Sequence, residues 1–161
     1  DRFKIGDYIT HPMHGAGVIE SIVTKKINGS QRDYYVLKLP VGDMVVMVPV
    51  SGCEDIGVRS IISRSEAEKL FSAFSEIEIS MTQNWNKRYR ENMDKIKSGN
   101  LLDVASVVKG LMCRDSERGL STSERKMLHS AKQILISELV IATDMDYDGV
   151  EKRLYAALKE G

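Results

Sequence analysis

The stretch Asn84-Trp85-Asn86-Lys87-Arg88-Tyr89-Arg90 gathers the residue types best suited to holding a nucleic acid: the chain's only tryptophan, a tyrosine and three cations. At helical spacing Trp85, Tyr89, Met93 and Ile96 share one face, and Lys87, Arg88, Arg90 and Lys95 lie away from it. Two readings follow. In one, the helix is simply amphipathic, with the tryptophan in a core and the cations solvated. Large aromatics are usually well buried, so spacing alone leans this way. In the other, Trp85 projects from the first turn as an apolar wedge, and its basic neighbours hold a phosphate backbone beside it.

Met44-Val45-Val46-Met47-Val48-Pro49-Val50 is apolar on both alternating faces. Such a run is either a fully buried strand or an edge strand that pairs with a partner's sheet. Pro49 cannot donate a ladder hydrogen bond, which puts its end of the strand at a sheet edge.

His11-Pro12-Met13-His14 has the donors for a metal but lacks the further ligands zinc needs, so it reads as a turn with two ordinary histidines. Cys53 and Cys113 have neither metal nor redox spacing and fit free thiols in a cytoplasmic protein. His129 has no nucleophile near it in sequence. No phosphate-binding glycine loop, nucleophile elbow or paired-carboxylate motif occurs. The expectation is a protein without catalytic residues, metal or cofactor; an enzyme would need a site assembled only in three dimensions.

The elements that position these residues divide at about residue 62. Residues 1–62 read as β. Candidate strands are 7–10, 17–23, 33–39 and 44–50, with a last short one near Gly57-Val58-Arg59. Asn28-Gly29 marks a tight hairpin, because a primed turn needs positive φ. Short strands at this density predict a small SH3/Tudor-like β-barrel. Residues 63–161 read as a bundle of about five α-helices. Ser63-Arg64-Ser65-Glu66 and Ser121-Thr122-Ser123-Glu124 are capping-box patterns. A helix from near Asn84 to Lys97 stops at Ser98-Gly99. The next carries Leu102, Ala105, Val108 and Met112 on one stripe and ends at Gly119. A long one runs to about Thr143, and a last runs from about Val150 to Lys159. The fold class is therefore α+β.

Composition agrees with a globular protein: 42% hydrophobic and 29% charged over 161 residues. No apolar run is long enough for a membrane span. The net charge of zero conceals a bias. Residues 87–132 hold eleven Lys/Arg against six Asp/Glu, a net of +5, and residues 133–161 hold three against six, a net of −3. A basic centre beside an acidic tail suits a local polyanion-binding face.

Phe3-Lys4-Ile5-Gly6-Asp7 and His11-Pro12-Met13-His14-Gly15-Ala16-Gly17-Val18-Ile19-Glu20 resemble the opening of the CarD/CdnL family of bacterial transcription factors. Tyr35-Val36-Leu37-Lys38, Met47-Val48-Pro49, Gly57-Val58-Arg59, Asn84-Trp85 with Arg88-Tyr89, Lys97-Ser98-Gly99, Arg114-Asp115 and Glu117-Arg118-Gly119-Leu120-Ser121 with Glu124 extend the resemblance, in order, through both halves. It implies a Tudor-like domain, residues 1–62, that binds the β subunit of RNA polymerase through Met47, Val48 and Pro49, with Lys25 at another contact position. It implies a helical domain, residues 63–161, that touches promoter DNA at the upstream edge of the transcription bubble. There Trp85 is the wedge, and Lys87, Arg88, Arg90 and Arg125 are its basic neighbours. Some members of the family carry a cation where this chain has Met47, so apolar contact is expected here. The same first domain recurs in the transcription-repair coupling factor, whose helicase motifs do not follow it here. The resulting expectation is a monomeric cytoplasmic regulator that stabilises the open promoter complex and binds DNA weakly, without reading sequence. The alternative is an adaptor that binds polymerase without touching DNA.

Overall fold

The computed structural model describes residues 3–79 and 82–160. Among the described residues, five strands precede five helices, as the α+β expectation has it. The strands are β1 (Tyr8–His11), β2 (Gly15–Ile27), β3 (Ser30–Leu39), β4 (Met44–Pro49) and β5 (Arg59–Ser60). They form one antiparallel sheet in the order β4-β3-β2-β1-β5. β4 is therefore an edge strand, as Pro49 requires.

Two local devices shape the sheet. Asn28 and Gly29 take φ of 51° and 80° and join Ile27 to Ser30 in a two-residue loop, the conformation that an Asn-Gly pair reaches cheaply. A register shift between Ile19 and Ser21 bends β2, as a bulge does. Phe3, Ile9, Ile19, Tyr35, Leu37, Val48, Cys53 and Val58 fill the small core behind it.

The helices are α1 (Arg64–Phe74), α2 (Trp85–Lys97), α3 (Leu101–Arg118), α4 (Thr122–Thr143) and α5 (Tyr147–Glu160). Ser63 and Glu66 close a complete capping box on α1. The box expected at α4 is half made: Ser121 accepts the Glu124 N–H, and the Glu124 carboxylate turns to Arg88. The α3 stripe is also shifted from its expected place. Ala105, Val108 and Met112 are buried as expected, but Leu102 is 51% exposed and Leu101 is buried in its place, with Val104 and Leu111 completing the stripe. α5 begins three residues before the expected Val150, because Asp146 accepts the Gly149 N–H through Oδ1 and the Val150 N–H through its carbonyl.

The sheet and the helices share an interface along α4. The Ala16 N–H donates to Ser137 Oγ at 2.8 Å. Gly15 has φ +97°, and a Cβ there would lie 2.5 Å from that same oxygen, so both the backbone and the contact require glycine. Arg59 reaches Glu138 with both terminal nitrogens, at 2.8 and 3.0 Å.

Two candidate interaction surfaces

The first surface is the outer face of the sheet. The β3–β4 register sets Val36 opposite Met47 and Tyr34 opposite Pro49. The β2–β3 register sets Ser21 opposite Val36, Val23 opposite Tyr34 and Lys25 opposite Arg32. Directly opposed residues share a face. Met47, Pro49, Val36, Tyr34, Val23, Lys25 and Arg32 thus form one continuous surface. Met47 is 36% exposed and Val45, on the same side, 60%. Lys25 and Arg32 are both exposed, and they place like charges directly across the ribbon, which is unfavourable until an anion lies between or above them.

Of the polymerase-contact candidates, Lys25, Met47 and Pro49 come together on this face. Val48 does not. It is fully buried and belongs to the small core, because the pleat turns alternate residues inward. Its side chain supports β4 from behind. Tyr34, Val36 and Arg32 were not anticipated. Their signal was present in sequence: Lys38 fixes the outward phase of β3, which then carries Val36, Tyr34 and Arg32 to the same side. Arg32 and Pro49 also border an open, polar cleft of about 890 Å³, whose other lining residues include Asp33 and Glu54.

The second surface is the start of α2. Asn84 caps the helix by accepting the Lys87 N–H at 3.0 Å. Trp85 follows in the first turn, 42% exposed, and stacks on Tyr89 with ring centroids 5.2 Å apart and 20° between planes. The tryptophan thus lies outside the buried core, with its i+4 neighbour as a backing plate. Lys87 and Arg90 are exposed. No acidic residue occupies the first turn, so the positive end of the helix dipole adds to these cations.

Arg88 departs from the expected pattern. Instead of facing solvent it is 4% exposed. Its Nε donates to Glu124 Oε2 at 3.1 Å, and its Nη1 donates to the carbonyls of Thr82 and Gln83 at 3.1 and 3.2 Å. The buried stripe of α2 is therefore Arg88, Asn92 and Ile96. A cation can occupy it because a carboxylate waits on α4. Arg88 holds the helix rather than presenting a charge. Arg125, next in sequence to Glu124, is exposed at the start of the second turn of α4, and its Nη2 donates to the Leu120 carbonyl at 3.2 Å.

The His11 and His14 rings lie 4.6 Å apart between centroids, tilted by 43°. His11 Nδ1 accepts the Met13 N–H at 3.0 Å. Burial, with a smaller contribution from His14, holds the His11 imidazole below its ordinary pKa of 6.5. Among the described residues, no group of three or more His, Cys, Asp or Glu side chains is placed to hold a metal ion. No helix among them is long and apolar enough to cross a membrane.

Residues 3–62 match the family model for the CarD-like/TRCF RID domain, and residues 69–155 match that for the CarD C-terminal domain. A relative in Bacillus subtilis (strain 168), YdeB, named as a candidate transcription factor, is 38% identical over 139 residues, which is 86% of this chain and 91% of the relative.

Proposed function

The chain belongs to the CarD family of transcription factors, and on that premise we propose that it tethers itself to RNA polymerase and steadies the opened promoter. In this reading residues 1–62 bind the polymerase β subunit and residues 63–161 engage DNA. The outer sheet face supplies Lys25, Met47 and Pro49, with Val48 supporting them from the core. Trp85 supplies an apolar wedge at the upstream edge of the bubble, and Lys87, Arg90 and Arg125 supply phosphate contacts. The protein is a cytoplasmic regulator, a monomer and not an enzyme.

The observation that carries this reading is the exposure of Trp85. A lone tryptophan stands 42% exposed on a capped helix start, backed by Tyr89 and flanked by Lys87 and Arg90. A wedge that unstacks a base step costs a few kcal/mol, offset by the extra contacts a distorted junction permits. Few cations give weak, salt-sensitive affinity for free DNA. The tether raises the effective concentration, so weak contacts suffice once polymerase is bound. No base-reading helix is required.

The test is reconstitution with RNA polymerase and a promoter fragment. The chain should co-purify with the β subunit and lengthen the lifetime of the open complex. Co-purification with an unchanged lifetime would favour an adaptor that binds polymerase without touching DNA.

A further inference from the structure

Glu124 is a carboxylate with 4% of its surface exposed, in the first turn of α4. Three groups converge on it. Arg88 donates at 3.1 Å, Ser121 Oγ lies 3.3 Å from Oε1, and the Arg114 guanidinium stands 3.7 Å from Oε2. Arg88 in turn grips the carbonyls of Thr82 and Gln83, the two residues before the Asn84 cap. One guanidinium thereby ties three pieces of backbone together: the approach to α2, the second turn of α2, and α4. Trp85 lies between the two gripped stretches.

We infer that Glu124 is a positioning residue for Trp85: through Arg88 it fixes the start of α2 so that the exposed indole is held ready rather than swinging with a frayed helix end. This rests on the reading of Trp85 as the DNA-contacting group. Helix ends fray unless capped, and the Asn84 cap satisfies only one donor. A buried guanidinium without its counterion is strongly disfavoured, so loss of the carboxylate forces Arg88 out toward water and releases both carbonyls. An aromatic contact that must first be ordered is weaker by the cost of ordering it.

The chain itself provides the probe, since Trp85 is its only tryptophan. Fluorescence anisotropy and iodide quenching of the whole chain, excited where only the indole absorbs, report the mobility and exposure of the start of α2. Glu124→Gln keeps the shape and removes the charge. It should lower the anisotropy of Trp85, raise its quenching constant about twofold, and shorten open-complex lifetime at least half of the way, on a logarithmic scale, to that of Trp85→Ala. Combined with Trp85→Ala it should add nothing further to the lifetime loss. Arg88→Lys is the second variant. It retains a cation near Glu124 but lacks the fork that reaches two carbonyls as well, and should show the same changes in anisotropy and quenching. It stands in if Glu124→Gln fails to fold. Unchanged anisotropy and quenching in a folded variant, or a lifetime loss that adds to that of Trp85→Ala, would overturn the inference. If Trp85→Ala itself leaves lifetime unchanged, the wedge reading fails, and the fluorescence arm still decides whether Glu124 orders the helix start.

Discussion

Arg59 and Glu138, 79 residues apart, form a two-pronged ion pair in which the carboxylate is wholly buried and the guanidinium side chain is 34% exposed. The same carboxylate accepts the Ile62 N–H at 2.8 Å. It therefore pins both the last strand and the chain leaving it onto α4. With Gly15 and Ala16 packed on Ser137, this joins the sheet to the helices along α4.

Arg59→Ala leaves that buried carboxylate without its counterion. Breaking a buried pair from one side costs about 3 kcal/mol. For a chain of this size that is a fall in Tm of roughly 10 °C, at 2–4 °C per kcal/mol. A calorimetric scan checks it, and a Tm within a degree of wild type would mean that the pair is solvated.

Met47→Asp is expected to abolish polymerase binding while the fold survives, because the side chain lies on an exposed sheet face. An unpartnered charge in a dry interface costs several kcal/mol. Val48→Ala, one residue on, should behave in the opposite way, costing about 2 kcal/mol of folding stability by opening a cavity. Pull-down on the β subunit with thermal melts of both variants separates the two outcomes. Equal binding by Met47→Asp and wild type would remove β4 from the interface.

Replacing Lys87 and Arg90 by Ala should weaken DNA engagement and flatten its salt dependence by roughly one unit of slope per lost phosphate contact. Polymerase binding should be unaffected. Arg88→Ala predicts a different phenotype, loss of stability, because its charge is buried against Glu124. Titration of promoter complexes against salt provides the readout, and an unaltered slope for the double variant would leave Lys87 and Arg90 as solvated surface.

Trp85→Ala should shorten the open-complex lifetime about five- to hundredfold, since an aromatic stacked on a base contributes ~1–3 kcal/mol. A core tryptophan would instead cost ~3–5 kcal/mol of stability when removed. The observed exposure predicts a Tm near wild type. A melt of the variant and the decay of its promoter complex, measured together, decide between the two.

His11 links stability to pH. Its imidazole is held below 6.5 in the folded protein, so near that value the unfolded chain binds more protons than the folded one. Stability from this group is complete above pH 6.5 and declines as pH falls through 6.5 toward the lower folded value. His11→Asn should flatten the fall in Tm between pH 7 and pH 5. An identical pH profile for variant and wild type would contradict the burial of the ring.

What was legible in the sequence followed local chemistry. Asn28-Gly29 determined the hairpin because positive φ is a property of those two residues. Pro49 marked the edge strand because it lacks a donor. The capping box at Ser63 needs partners only three residues apart. What was not legible depended on distant partners. Arg88 looks like a surface cation until Glu124, 36 residues later, is seen to wait for it. The inward turn of Val48 is hidden in a strand apolar on both faces, and its phase is set by β3 through Lys38. Leu102 joined the wrong stripe because the start of α3 is apolar at two successive positions, and only packing chooses Leu101.

The pleat of β4 has a consequence for how such a protein changes over generations. Val46, Val48 and Val50 pack inward, and Val45, Met47 and Pro49 share the outward face. On the proposed attachment through β4, selection on folding and selection on partner choice act on alternate letters of one short word. The outward letters are free to drift with the partner's surface while the inward ones stay put, so a lineage can re-tune its attachment by single substitutions without passing through an unfolded ancestor.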